Sequence, residues 1–171
     1  LSTVNVTVSE LVAVVTMNNP PVNAQNKQFH EDLTLVFDVL SDRDDVRVVI
    51  LTGAGKCFSA GADIKGRAGQ KSELGDHWGH SRRVRECFYS IMECRKPVIA
   101  AINGPALGAG LAVAASADIL LASEEAQLGL PEINVGLLGG GRHAMRLFGH
   151  SKTRRLMLTG KRLTGAELYR L

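Results

Sequence analysis

The chain has 171 residues, 45% of them hydrophobic and 22% charged, the balance of one globular domain with a real core. Its net charge of +3 is too small to imply nucleic acid by itself. Three cysteines (Cys57, Cys87, Cys94) form an odd set with no metal-ligand spacing, so no metal site is expected, and the thiols suit a reducing, cytoplasmic compartment.

The first residues, LSTVNVTVSE, begin with Leu and lack the basic start and apolar run of a secretion signal. Val4 to Val8 and Leu11 to Met17 are β-branched runs split by Ser9-Glu10, which predicts a hairpin. Asn18-Asn19-Pro20-Pro21 ends the second strand. Phe29, Leu33, Val36, Phe37 and Leu40 recur at helical spacing. Val46 to Thr52 reads as a buried strand, and Gly53 to Asp63 as a loop of small residues. Gly66 to Gly79 is polar and glycine-rich, which suggests a mobile flap carrying His77 and Trp78, with His80 beside it. Arg82 to Arg95 predicts a helix with Val84, Cys87, Phe88, Ile91 and Met92 on one face.

Pro97 to Ala117 has no charged residue, a length that raises the question of a membrane span. Its residues are mostly Ala and Gly, and Asn103-Gly104-Pro105 divides it, so a strand over 97–102 and a helix over 106–117 are expected instead. The small residues of that helix (Gly108, Ala109, Gly110, Ala112) let its backbone approach a sheet or ligand closely. Asp118 to Ala122 is a further strand, the glycines after Glu132 open a helix running to Phe148, and Lys152 to Leu158 is one more helix. LTGAELYRL at the end opens a helix with Thr164 as N-cap and Glu167 three residues on, and then stops. A C-terminal portion is therefore expected to be missing. The strand-strand-helix rhythm points to an α/β fold.

The loop GAGKCFSAGAD fits neither of two familiar catalytic motifs. A P-loop needs Gly where Ile50 stands and Ser or Thr where Cys57 stands. A nucleophile elbow needs Gly two residues before Ser59, where Cys57 stands.

Five stretches coincide: NPPVNA at 19–24, FSAGADIK at 58–65, KPVIAAINGPALGAG at 96–110, AQLGLPEINVG at 126–136 and LTGKRLTGAEL at 158–168. In this order and over nearly the whole chain they resemble the crotonase superfamily, also called the enoyl-CoA hydratase/isomerase family. The resemblance implies a crotonase-like spiral of strand-strand-helix turns that forms two roughly perpendicular sheets surrounded by helices. Residues 1–171 would be a single core domain of that type. The C-terminal helical region used for trimer contacts, and for trimers that pair into hexamers, would be absent. Resemblance also implies an acyl-CoA substrate, no cofactor beyond the substrate's own CoA, and an enolate-like intermediate. The family's two oxyanion donors fall on the N–H groups of Ala60 and Ala109, the latter in the first turn of helix 106–117. Such donors stabilise charge that develops only in the transition state. The CoA part would run along Ala60, Gly61, Ala62 and Asp63, with Asp63 fixing the loop, and Gly140 would join the substrate contacts.

Hydratases of the family use two glutamates. The second matches Glu132, the acid/base expected here; the first falls on Ala112, which cannot transfer a proton. Glu124 and Glu125 lie in a polar turn. One carboxylate suffices to move a double bond from the 3- to the 2-position, so an isomerase is the alternative within the family. Arg142 and His143 stand where small residues are common, and either could face the acyl pocket. No aspartate follows Glu132 to act as nucleophile on aryl thioesters. Outside the family's double-bond chemistry, a Clp-type serine hydrolase lacks its nucleophile, because Leu107, Gly108 and Ala109 occupy that helix start. A non-catalytic CoA- or RNA-binding relative would use the basic cluster Lys152, Arg154, Arg155, Lys161 and Arg162.

Overall fold

The computed structural model describes residues 1–67 and 73–170. Strands β1 (Val4–Ser9) and β2 (Val12–Met17) form the expected antiparallel hairpin. Its turn residues, Glu10 and Leu11, both have positive φ (49° and 66°), the twist that tight hairpins favour. Three parallel strands extend the sheet from β2: β3 (Val48–Gly53), β4 (Val98–Ile102) and β6 (Ile119–Ala122), in the order β1-β2-β3-β4-β6. Ala13, Val15 and Met17 of β2, Val49 and Leu51 of β3, and Val98, Ala100 and Ile102 of β4 alternate into the core. The register aligns Ala13 with Val49, and Val49 with Val98, so all of these share one face. The residues between them are only half-buried, and β6 is largely exposed at the sheet's edge.

Helix α1 (Lys27–Asp42) starts where the Asn26 side chain accepts the Phe29 N–H at 2.8 Å, and it buries all five predicted apolar residues. It packs on β1 and on helix α3 (Asp76–Met92). α3 begins six residues earlier than Arg82, so His77 to His80 lie on helix rather than in a flap. Gly75, at φ 95°, makes the turn into it, and Asp76 places a carboxylate on its first turn. Part of the expected flap is the short helix α2 (Ile64–Arg67); residues 68–72 lie outside the described residues.

The helix expected over 106–117 divides in two. Pro105–Leu107 is strand β5, and only Ala109–Ala114 is helix α4. Extended backbone wins because it finds partners: Leu107 N–H donates to Ser59 O at 2.9 Å, and Gly108 N–H donates to Gly129 O at 2.9 Å. β5 pairs with β7 (Gln127–Gly129), which pairs with β8 (Arg162–Thr164), giving a second sheet in the order β5-β7-β8. The molecule is thus a mixed α/β fold of two sheets surrounded by helices.

Gly140 and Gly141 open a helix as expected, but α5 (Gly141–Ala144) is short. Beyond it the chain tightens into turns, with Arg146 N–H on His143 O and Leu147 N–H on Ala144 O, both at 3.0 Å. Helix α6 (His150–Thr159) encloses the predicted span, and α7 (Gly165–Tyr169) carries the predicted capping box between Thr164 and Glu167. No helix among the described residues is long and apolar enough to cross a membrane.

Candidate active site

The loop before α1 and the loop after β3 are tied together by one buried amide. Asn23 Nδ2 donates to the carbonyls of Ala54, Cys57 and Phe58 at 3.1, 2.8 and 3.3 Å. Ser59 Oγ donates back to Asn23 O at 2.8 Å and accepts from Gln25 Nε2 at 3.2 Å. Gln25 also brackets the loop through its backbone: its N–H donates to Gly61 O at 2.8 Å, and its carbonyl accepts from Asp63 N–H at 3.0 Å. Gln25 Oε1 stands 3.3 Å from His30 Nε2. NPPVNA and the loop after β3 both stood out in the sequence, but nothing there paired Asn23 with Ser59.

This bracing decides which N–H groups point outward. Ala60 N–H donates to Val22 O at 3.0 Å, so the donor expected there is already engaged. Two residues on, Ala62 N–H makes no hydrogen bond among the described residues. Neither does Ala109 N–H, at the first position of α4, where helix geometry leaves it unpaired. The two segments touch: a Cβ on Gly61 would lie 2.6 Å from Leu107 O and 3.1 Å from Ala109 N, at a φ of 92°. Only glycine allows that approach. The sequence signal for Ala62 was this Gly61, whose turned peptide aims the next N–H away from Gln25.

Glu132 lies on the first turn of a 3-10 helix, Pro131–Val135. Its carboxylate stands beside the entry to α4, where a Cβ on Gly108 would come 2.7 Å from Oε1. Oε2 is buried and has no hydrogen-bond partner. Burial raises this carboxyl above its ordinary value, against a smaller opposing effect from its own backbone N–H. Gly140 joins the same cluster, since a Cβ there would lie 2.9 Å from Leu130 Cδ2 and 4.0 Å from Gly108 O. Ala112 is buried one turn inside α4.

Other candidates stand apart from this cluster. Asp63 Oδ1 accepts the Gly66 N–H at 2.8 Å and so fixes the loop. Glu124 and Glu125 are exposed on a turn, as expected. Trp78 is 70% exposed, and the His80 ring stands 6.1 Å from that of His30. Most of the basic cluster is exposed on α6 and β8. An apolar cavity of about 230 Å³, lined by Leu1, Val6, Leu35 and Val39 among others, lies between β1 and α1 and includes none of these groups.

Two unpaired N–H groups and a partly buried carboxylate, gathered around Gly61 and Gly108, make an arrangement able to hold an anion beside an acid. The model of the Enoyl-CoA hydratase/isomerase family matches residues 7–171, and the chain belongs to that family. A probable enoyl-CoA hydratase of Bacillus subtilis (strain 168) is 37% identical over 170 residues, covering 98% of this chain and 66% of that protein. A probable mitochondrial enoyl-CoA hydratase of Dictyostelium discoideum is 37% identical over 160 residues, covering 91% of this chain and 56% of that protein. The solved structure of Pseudomonas aeruginosa DspI superposes with a TM-score of 0.91 at 33% identity, covering 99% of this chain and 66% of that one. That of an enoyl-CoA hydratase from Bacillus anthracis gives 0.88 at 32% identity, covering 96% and 66%. The chain therefore spans under two thirds of the length of the first of these curated relatives, and less of the second.

Proposed function

We propose that the protein acts on the double bond of an acyl-CoA thioester through an oxyanion-stabilised enolate, with Glu132 as acid/base. The observation that carries this is Glu132 itself: a buried, unpaired carboxylate oxygen beside Gly108, the residue that leads into the free N–H of Ala109. The thioester oxygen sits between the N–H groups of Ala62 and Ala109, with Ala62 taking the role expected of Ala60. Losing one such donor raises the barrier by about 3–4 kcal/mol. Glu132 then exchanges a proton at C2. Gly61 and Gly140 shape the substrate's path, and the substrate's CoA is the only carrier needed.

Ala112 favours isomerisation within this reading. Moving a 3-ene to a 2-ene takes one proton from C2 and returns one to C4, which a single carboxylate can do. A binder without catalysis gives no account of a carboxylate oxygen buried without a partner. Three free thiols, two of them buried, support a reducing cytoplasmic compartment. Ile133, Val135, Leu137 and Leu138, each more than a third exposed, form an apolar run that supports assembly into a trimer or hexamer.

The test offers a trans-2-enoyl-CoA and a 3-enoyl-CoA separately and follows product mass. Conversion of the 3-enoyl substrate without a mass change supports the one-carboxylate isomerase. A gain of one water by the 2-enoyl substrate supports double-bond chemistry with a second group in play. No turnover of either overturns the proposal.

A further inference from the structure

His143 Nδ1 is buried without a hydrogen-bond partner, as Glu132 Oε2 is, and the chemistry above gives it no task. Its place follows from how α5 lies along α4. At one end, a Cβ on Gly140 would come 4.0 Å from Gly108 O, just before α4 begins. At the other, Arg146 Nε donates to Ala115 O at 2.9 Å, just after α4 ends. The two segments thus run side by side in the same direction. His143 is midway between Gly140 and Arg146, so it comes level with the middle of α4, where Ala112 stands. Phe88 of α3 closes the ring from another side, edge-on, with centroids 4.8 Å apart.

Resting on the proposed function, we propose that His143 is the second proton-transfer residue of this site. It works beside the wall that Ala112 leaves without an acid, and it equips the site to add water to a 2-enoyl thioester. Burial first, then the charges of Arg146 and Arg142, hold its imidazole below the ordinary value, so the ring is neutral and able to accept a proton. α4 offers the ring no titratable side chain, and α3 offers it Phe88. In the step, a water oxygen lone pair forms the bond to C3, and the C2=C3 pair moves through C1 onto the thioester oxygen. The water's proton goes to Nδ1, in the tautomer carrying its hydrogen on Nε2. C2 then takes the proton of the Glu132 carboxylic acid as the enolate collapses. The imidazolium returns one proton to the Glu132 carboxylate through solvent, and one water has been added.

The experiment measures hydration of a trans-2-enoyl-CoA by the wild type, His143→Ala and His143→Gln, with melting temperatures and pH profiles for each. The expected result is a kcat about 10²–10⁴-fold lower in His143→Ala, with KM little changed. Imidazole added to the buffer recovers part of that rate, more so as pH rises through imidazole's own titration. The wild type loses rate on the acid side, and that limb disappears in both variants. Wild-type kcat retained in His143→Ala overturns the proposal. So does a loss that imidazole does not recover and that tracks a lowered melting temperature in both variants. A wild type that isomerises the 3-enoyl substrate but adds no water overturns the role of His143 and leaves the proposed function standing. A wild type inert on both substrates overturns the proposed function itself.

Discussion

The Glu132 carboxylate occupies the space that a side chain on Gly108 would need, 2.7 Å from the place of its Cβ. Acid and backbone turn therefore fit each other only while residue 108 is glycine. Its φ of 56° and ψ of −121° add a second requirement, because residues with a Cβ avoid that region. Gly108→Ala is expected to cost about 1–3 kcal/mol of stability and to push the carboxylate off station. The check is a chemical melt beside turnover on both enoyl substrates. A Gly108→Ala protein with normal rates would separate Glu132 from the chemistry.

Glu132→Gln should lower turnover about 10²–10⁴-fold while the protein stays folded. Stability should move the other way. A carboxyl raised by burial contributes its stability while protonated, below its ordinary value of 4.5, and loses it as pH rises through its higher value in the folded state. Gln cannot ionise, so the variant should melt above the wild type at neutral pH, with the gap closing below pH 4.5. Melting curves across that range test the sign.

Asp32 predicts the opposite pH slope. Burial works to raise its carboxyl, but hydrogen bonds from Gln28, the Thr3 and Ser2 backbone and the Thr3 hydroxyl outweigh that and hold it at about 2 against an ordinary 3.8. The stability it lends is full above pH 3.8 and is lost as pH falls through about 2. Asp32→Asn should be less stable at neutral pH by about 1.5–3 kcal/mol, the worth of hydrogen bonds to a charged group. The difference should shrink in acid. A constant gap between pH 2 and 7 would assign the effect to packing.

The thiols should react in order of access. Burial pushes Cys87 up to about 12, against a smaller effect from Thr34, and burial also raises Cys57. Cys94 is half-buried, with Ser41 Oγ at 3.4 Å from its sulfur. Alkylation of the native protein at neutral pH, read by peptide mass, should label Cys94 well before the other two. Early labelling of Cys87 would mean that α1 and α3 separate readily.

The first sheet was legible because its strands are apolar, β-branched runs bounded by turn residues, as at Leu11 to Met17 and Val46 to Thr52, and α1 repeats at Phe29, Leu33, Val36 and Phe37. The second sheet came only from family resemblance. β5, β7 and β8 have three residues each, too short for any periodicity, and their partners lie far along the chain. That is why Ala106 and Leu107 read as helix. Glu132 stood out by its motif, and its carboxylate does lie beside Gly108; Ala112 stood out by the acid it lacks. The N–H expected to be free at Ala60 is engaged, and the unpaired one lies two residues on, because only the bond from Ala60 to Val22 shows which peptides are consumed.

On the proposed function, the anion-holding half of the site is made of peptide N–H groups, at Ala62 and Ala109, and the proton-moving half of side chains. Any residue except proline at 62 or 109 still carries the hydrogen, so ordinary mutation can crowd that grip without erasing it. On the same proposals, a single codon change at 112, 132 or 143 rewrites the proton traffic outright. On the proposed function, heredity can therefore reassign what becomes of a bound thioester while its carbonyl is still held, and a lineage can change reactions without first losing its substrate.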